Sequence, residues 1–135
     1  MALTYSLALK IDRLSAANAR IGANGIVSLY AGTRPASPDA VPGTQPLATC
    51  EAASTFASTP TTAVLTANPI SQGVGTEHAT ASGTVATWGR ISNSAGVGVI
   101  DFEVGPGKDF VMMPDAVIKT DQPVLIEQIK ITAGN

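Results

Sequence analysis

The apolar positions near the start of the chain are spaced for a helix. Leu7, Ile11, Leu14 and Ile21 follow intervals of four, three and seven and so fall along one stripe. Lys10, Asp12, Arg13, Asn18 and Arg20 mostly lie off it. Thr4 or Ser6 offers an N-cap, and Gly22 with Gly25 offers a C-terminal stop, which predicts one helix within residues 1–22. A lone helix with one apolar stripe must pack on something, either its own sheet or a neighbour.

From Gly25 onward the period shortens. The run Ile26-Val27-Ser28-Leu29-Tyr30 reads as a strand, and short strands are predicted within residues 47–53 and 63–67. Residues 71–82 are rich in Gly and Thr and read as a mobile loop. Residues 84–91 and 97–104 form a hairpin about Ser92-Asn93-Ser94-Ala95-Gly96. In its second arm Ile100, Phe102 and Val104 alternate with Asp101 and Glu103, which predicts one buried and one wet face. Gly105-Pro106-Gly107 turns the chain into Phe110-Val111-Met112-Met113, and runs at 117–118 and 124–131 follow. Seven or eight short strands in two packed sheets are expected, as one domain over residues 1–135.

Residues 33–46 break the pattern. Pro35, Pro38, Pro42 and Pro46, with Gly43, remove ladder donors and fix φ, so this is a long ordered loop or an arm. Its stiffness suits docking on another subunit, because little entropy is lost on binding.

Composition sharpens this reading. Apolar residues make up 44% of the chain but charged residues only 13%, about half the usual share for a soluble domain. So few charges imply that much of the surface meets other protein. The net charge of −2 carries no basic stripe for nucleic acid. No run approaches the roughly 18 apolar residues of a membrane span, and the apolar start lacks a basic flank that would mark a secretory signal.

The chemistry-bearing residues are few. Cys50 is the only cysteine and His78 the only histidine, so no intrachain disulfide and no CxxC metal pair can form. Cys50 reads as a small buried hydrophobe and His78 as a solvated loop residue, with no matching partners for a nucleophile triad. Gly105-Pro106-Gly107-Lys108-Asp109 resembles a phosphate loop superficially, but a strand-like run follows it where a helix is required. Asp101 and Glu103 share one sheet face as a carboxylate pair would, though two acids on one strand are commonly its wet side. Arg90 is placed to pair with Asp101 or Glu103 across the hairpin as modest surface electrostatics. Trp88 alternates with Ala86 and Arg90, while Val85 and Ile91 face the other way. Apolar groups on both faces imply a central strand or one docked on a partner. No catalytic residue, metal ligand or cofactor site is expected.

Several segments together resemble a known family. These are LYAGTRPASPDA (29–40), LTANPI (65–70), ASGTVATWGRI (81–91), VIDFEVG (99–105) and VLIEQIKITAGN (124–135), following a short helix. They are similar to the capsid cement or decoration proteins of tailed bacteriophages, over most of the chain but through sequence habits, not invariant motifs. Gly89 departs from the pattern, since a bulky aromatic is expected beside the tryptophan. The resemblance implies a jelly-roll-like β-sandwich with one short N-terminal helix. It also implies a protein made in the host cytoplasm that ends on the virion exterior, clamping neighbouring subunits of the major capsid protein. A homodimer or other homo-oligomer would bridge two such subunits. The expected contact residues are Arg34, Pro35 and Pro38 of the arm, Trp88, and the helix stripe Leu7, Ile11 and Leu14, with the stripe more at home on its own sheet. A tail or head-tail joining protein shares every compositional argument. A carbohydrate-binding β-sandwich would need exposed aromatics on one face, and the chain has one Trp and two Tyr.

Overall fold

The computed structural model describes residues 3–104, 111–112 and 116–133. Among them the chain forms one α-helix, α1 (Leu7–Ile21), and eleven short strands. Ser6 caps α1 by accepting from the Leu9 N–H at 3.2 Å. Gly22 ends it in the left-handed region, at φ 65°, with its N–H donating to the Asn18 carbonyl. Only the later part of the apolar stripe reaches the core: Leu14 and Ile21 are buried, Ile11 is half-buried, and Leu7 is 56% exposed.

The strands are β1 (Ile26–Tyr30), β2 (Ala48–Glu51), β3 (Val64–Thr66), β4 (Gly73–Gly75), β5 (Thr84–Val85), β6 (Trp88–Ser92), β7 (Gly98–Glu103), β8 (Val111–Met112), β9 (Val117–Ile118), β10 (Pro123–Val124) and β11 (Gln128–Thr132). Six pair in the order β10-β4-β2-β1-β6-β7, three in the order β3-β11-β8, and two as β5-β9. Every pairing is antiparallel and none of the sheets closes. The chain is mainly β with one short helix, as expected, but the described residues form three open sheets instead of two.

The larger strand number has a physical cause. Two runs predicted as single strands each change sheets midway. Ala86 donates to Ala116, beside β9, whereas Thr87 donates to Tyr30 in β1, so the chain crosses from the small sheet to the large one between adjacent residues. Likewise β10 pairs with β4 and β11 with β3. The expected mobile loop at 71–82 instead contains β4 and a 3-10 turn at Glu77–Ala79. Its glycines serve close packing: a Cβ on Gly73 would strike the Thr49 carbonyl, and one on Gly75 the Lys119 carbonyl. The Gly105 to Asp109 turn lies outside the described residues.

One core joins the layers. Val27, Leu29, Cys50, Ile91 and Phe102 line the inner face of the large sheet. Leu65, Ile129 and Ile131 come from the three-stranded sheet, and Leu14 and Ile21 from α1. The helix lies against β3 and β7, one strand from each of these sheets. No helix among the described residues is long and apolar enough to cross a membrane.

Candidate functional site

Cross-strand partners share a face, so the register separates the inner face of the large sheet from an outer one. Tyr30 opposes Trp88, and Arg90 opposes Asp101. These four residues, with Ser28, stand on the outer face at the β1-β6-β7 end. Tyr30 and Trp88 stack with ring centroids 4.3 Å apart and planes 12° off parallel. The Arg90 guanidinium carbon sits 5.6 Å from the Trp88 ring centroid.

Arg90 meets Asp101 in a two-pronged ion pair. Nε donates to Oδ1 at 2.7 Å and Nη2 to Oδ2 at 3.0 Å. Two further bonds go to main-chain carbonyls of the Pro-rich segment, Nη1 to Ala40 at 2.7 Å and Nη2 to Ser37 at 3.3 Å. Only 7% of the Arg90 side chain and 5% of the Asp101 side chain remain exposed. The expectation of a modest surface pair is therefore corrected. Residues 33–46 fold back over this end of the sheet and take the pair out of water. Hydrogen bonding to Asp101 raises the Arg90 pKa, and burial opposes that without removing the charge.

The segment that reads as an arm thus lies on its own sheet. Its base is closed by Leu47, whose N–H donates to the Leu29 carbonyl at 2.7 Å, and by the Thr87 hydroxyl, which donates to Gly32 at 2.7 Å. Within it Ala40 donates to Ser37, making a turn that presents both carbonyls to Arg90. Gly98 permits the close approach, since a Cβ there would lie 2.5 Å from the Pro38 oxygen. The covering is incomplete in one respect. Trp88 is 2% exposed and its indole N–H has no hydrogen-bond partner among the described residues.

The expected contact residues separate into two groups. Trp88 and Leu14 are buried by their own chain and act as supports. Arg34 is exposed, Pro35 and Pro38 are half-buried, and Leu7 is exposed at the start of α1. Two exposed residues escaped the sequence reading: Val41, 86% exposed, and Val97, 60% exposed. With Pro38, Pro42 and Arg90 they line a cleft of about 370 Å³ between the segment and the hairpin tip. The signal for Arg90 was a lone charge inside an otherwise apolar strand, one residue from glycine and two from tryptophan.

A second cleft of about 580 Å³ is lined by Asn24, Thr49, Glu51, Ser71, Gln72 and Ser94 at the uncovered end of the sheet. Its single carboxylate offers little for acid–base work. Among the described residues no group of three or more His, Cys, Asp or Glu could hold a metal ion. His78 is exposed on the 3-10 turn, 3.7 Å from Glu77. Cys50 is buried on the inner face, and burial pushes its thiol up from the ordinary 9.0, partly offset by the Gly73 N–H. The folded state therefore holds the thiol proton more tightly than the unfolded chain. That contribution is intact below the ordinary thiol value and is lost as pH rises past it. Urea midpoints should fall from pH 8 to 10 in the wild type and fall less in Cys50→Ala, and a parallel decline in both would exclude Cys50 as the cause.

Compared with known protein families, curated proteins and solved structures, the chain finds no match.

Proposed function

We propose that this chain is a virion structural protein that cements an assembled phage capsid from outside, by contacting neighbouring subunits of the major capsid protein. The observation that carries the reading is the ordered Pro-rich segment, which Arg90 holds to the sheet while it keeps Arg34 and Val41 facing outward. A chain with few charges has fixed an apolar residue at the tip of a stiff loop, which is the form of a docking knob. The sequence resemblance points the same way. On this reading the large sheet and the β3-β11-β8 sheet are the two layers of a jelly-roll-like sandwich, and Leu7 with Ile11 adds a second apolar contact. Tyr30 and Trp88 are buried and the half-buried Tyr5 ring lies under Arg13, so the described residues expose no cluster of aromatics to a sugar, which disfavours the carbohydrate alternative.

A cement site spans two lattice neighbours and is complete only after assembly, so binding stabilises the assembled state by mass action. The test is co-sedimentation with capsids lacking this protein, with free capsid subunits as control. Binding to capsids alone is expected, with little loss at high salt because few charges steer it. Val41→Asp should weaken it about tenfold, the order of one buried valine. Equal binding to free subunits, or none to capsids, would overturn the reading and favour a tail or head-tail joining role.

A further inference from the structure

We propose that Asn24 is a site of spontaneous modification, at which the main-chain nitrogen of Gly25 attacks the Asn24 side-chain amide and converts the residue to aspartate or isoaspartate. The inference rests on the turn between α1 and β1 and does not depend on what the protein binds.

The reaction needs a side-chain amide that nothing holds and an unshielded nitrogen on the next residue. Of the four asparagines among the described residues, the structure ties down three. Asn18 donates through Nδ2 to the Ala57 carbonyl at 2.9 Å. Asn93 accepts through Oδ1 from the Ala95 and Val97 N–H groups, each at 3.0 Å. Asn68 donates to the Thr55 carbonyl at 2.8 Å and precedes Pro69, whose nitrogen has no proton to lose. Asn24 is exposed, and its side chain makes no hydrogen bond among the described residues.

The fold itself requires this reactive pair. Asn24 stands at φ 54°, in the left-handed region that asparagine enters more readily than most residues. A Cβ on residue 25 would lie 2.6 Å from Ile21 Cγ2 and 3.0 Å from the Ser92 carbonyl oxygen, so packing reserves that position for glycine. Glycine in turn leaves the attacking nitrogen with no neighbouring side chain to shield it.

In the first step the Gly25 nitrogen loses its proton to solvent base and bonds to the Asn24 Cγ, and the side-chain nitrogen leaves as ammonia. Water then opens the resulting succinimide. Breaking the new N–Cγ bond gives aspartate, whereas breaking the original main-chain bond gives isoaspartate and routes the chain through Cβ and Cγ. Either product adds a second carboxylate to the cleft that residue 24 shares with Glu51.

The experiment holds the folded protein in warm, mildly alkaline buffer, beside the same protein in urea, and follows each asparagine by peptide mass spectrometry with chromatographic separation of isoaspartate. In the folded protein Asn24 should gain the mass of an amide-to-acid exchange many-fold faster than Asn18 or Asn93. The ratio of Asn24 to Asn93 should be smaller in urea, where unfolding releases the Asn93 side chain. Asn24→Gly keeps the left-handed turn and should abolish the early mass gain. The proposal is overturned if Asn24 converts no faster than Asn93 in the folded protein, if the folded ratio is no larger than that in urea, or if the early gain persists in Asn24→Gly.

Discussion

Gly89→Ala is expected to destabilise the chain by about 1–3 kcal/mol, and Gly89→Phe to prevent the large sheet from forming. A Cβ on residue 89 would lie 2.5 Å from Phe102 Cζ and 2.6 Å from its Cε2, with the Ser28 carbonyl at 2.9 Å. None of these neighbours can yield cheaply. The Phe102 ring is buried in the core beside Leu29 and Ile91, and Ser28 is backbone of the central strand β1. Phe102 opposes Gly89 across the β6-β7 pair, so its ring reaches over the glycine and supplies the bulk that position 89 lacks. The aromatic expected next to Trp88 is thus provided from the neighbouring strand. Phe102→Ala removes it and should cost about 3–5 kcal/mol. Combining Gly89→Ala with Phe102→Leu should recover part of the first loss, giving a coupling above about 0.5 kcal/mol in a double-mutant cycle. Urea unfolding followed through Trp88 measures all of these. A Gly89→Ala variant as stable as the wild type would show that the ring is free to move and that the packing argument is wrong.

The Gly89–Phe102 pair illustrates which features the sequence made legible. Local periodicity was enough for α1, β1 and the β6-β7 hairpin, because each is a contiguous run with its own stop signals. Periodicity cannot show a change of sheet, since a chain that crosses from one sheet to another between Ala86 and Thr87 keeps alternating. Glycine is equally ambiguous. Gly73 and Gly75 read as loop residues, although they occupy a strand where another backbone passes too close for a side chain. The site was legible in part. Trp88 and the Pro-rich segment stood out, but proline reports that a segment cannot join a ladder and says nothing about what it lies against. Arg90 and Asp101 could be paired from the hairpin register, whereas their burial depends on a segment some fifty residues earlier in sequence. Long-range covering of this kind leaves no mark on local pattern.

Arg90→Ala is expected to cost about 3–5 kcal/mol, the range for leaving one member of a buried ion pair alone, against 0–1 kcal/mol for a pair in solvent. The difference separates the two readings of this residue. The alanine would leave the Asp101 carboxylate without its ionic partner in a site with 5% exposure, and would strip the Ala40 and Ser37 carbonyls of their Arg90 donors. Against a typical total of 5–15 kcal/mol, the loss brings the domain close to its stability limit. Asp101→Asn should be milder, because a neutral amide still offers an oxygen to Arg90, yet the guanidinium then lacks its counter-charge. The double variant Arg90→Met, Asp101→Leu should regain much of the stability, since apolar replacement of both partners removes the desolvation penalty. It would still leave the two loop carbonyls unmet, so stability and loop closure should part company. Trp88, the only tryptophan, lies beneath the Arg90 guanidinium and reports the second quantity through acrylamide quenching. Quenching should rise several-fold in the double variant while its urea midpoint stays near that of the wild type. Raising salt to 1 M should change the Arg90→Ala loss little, because a buried pair is weakly screened. A loss below about 1 kcal/mol that vanishes in salt would return Arg90 and Asp101 to the protein surface.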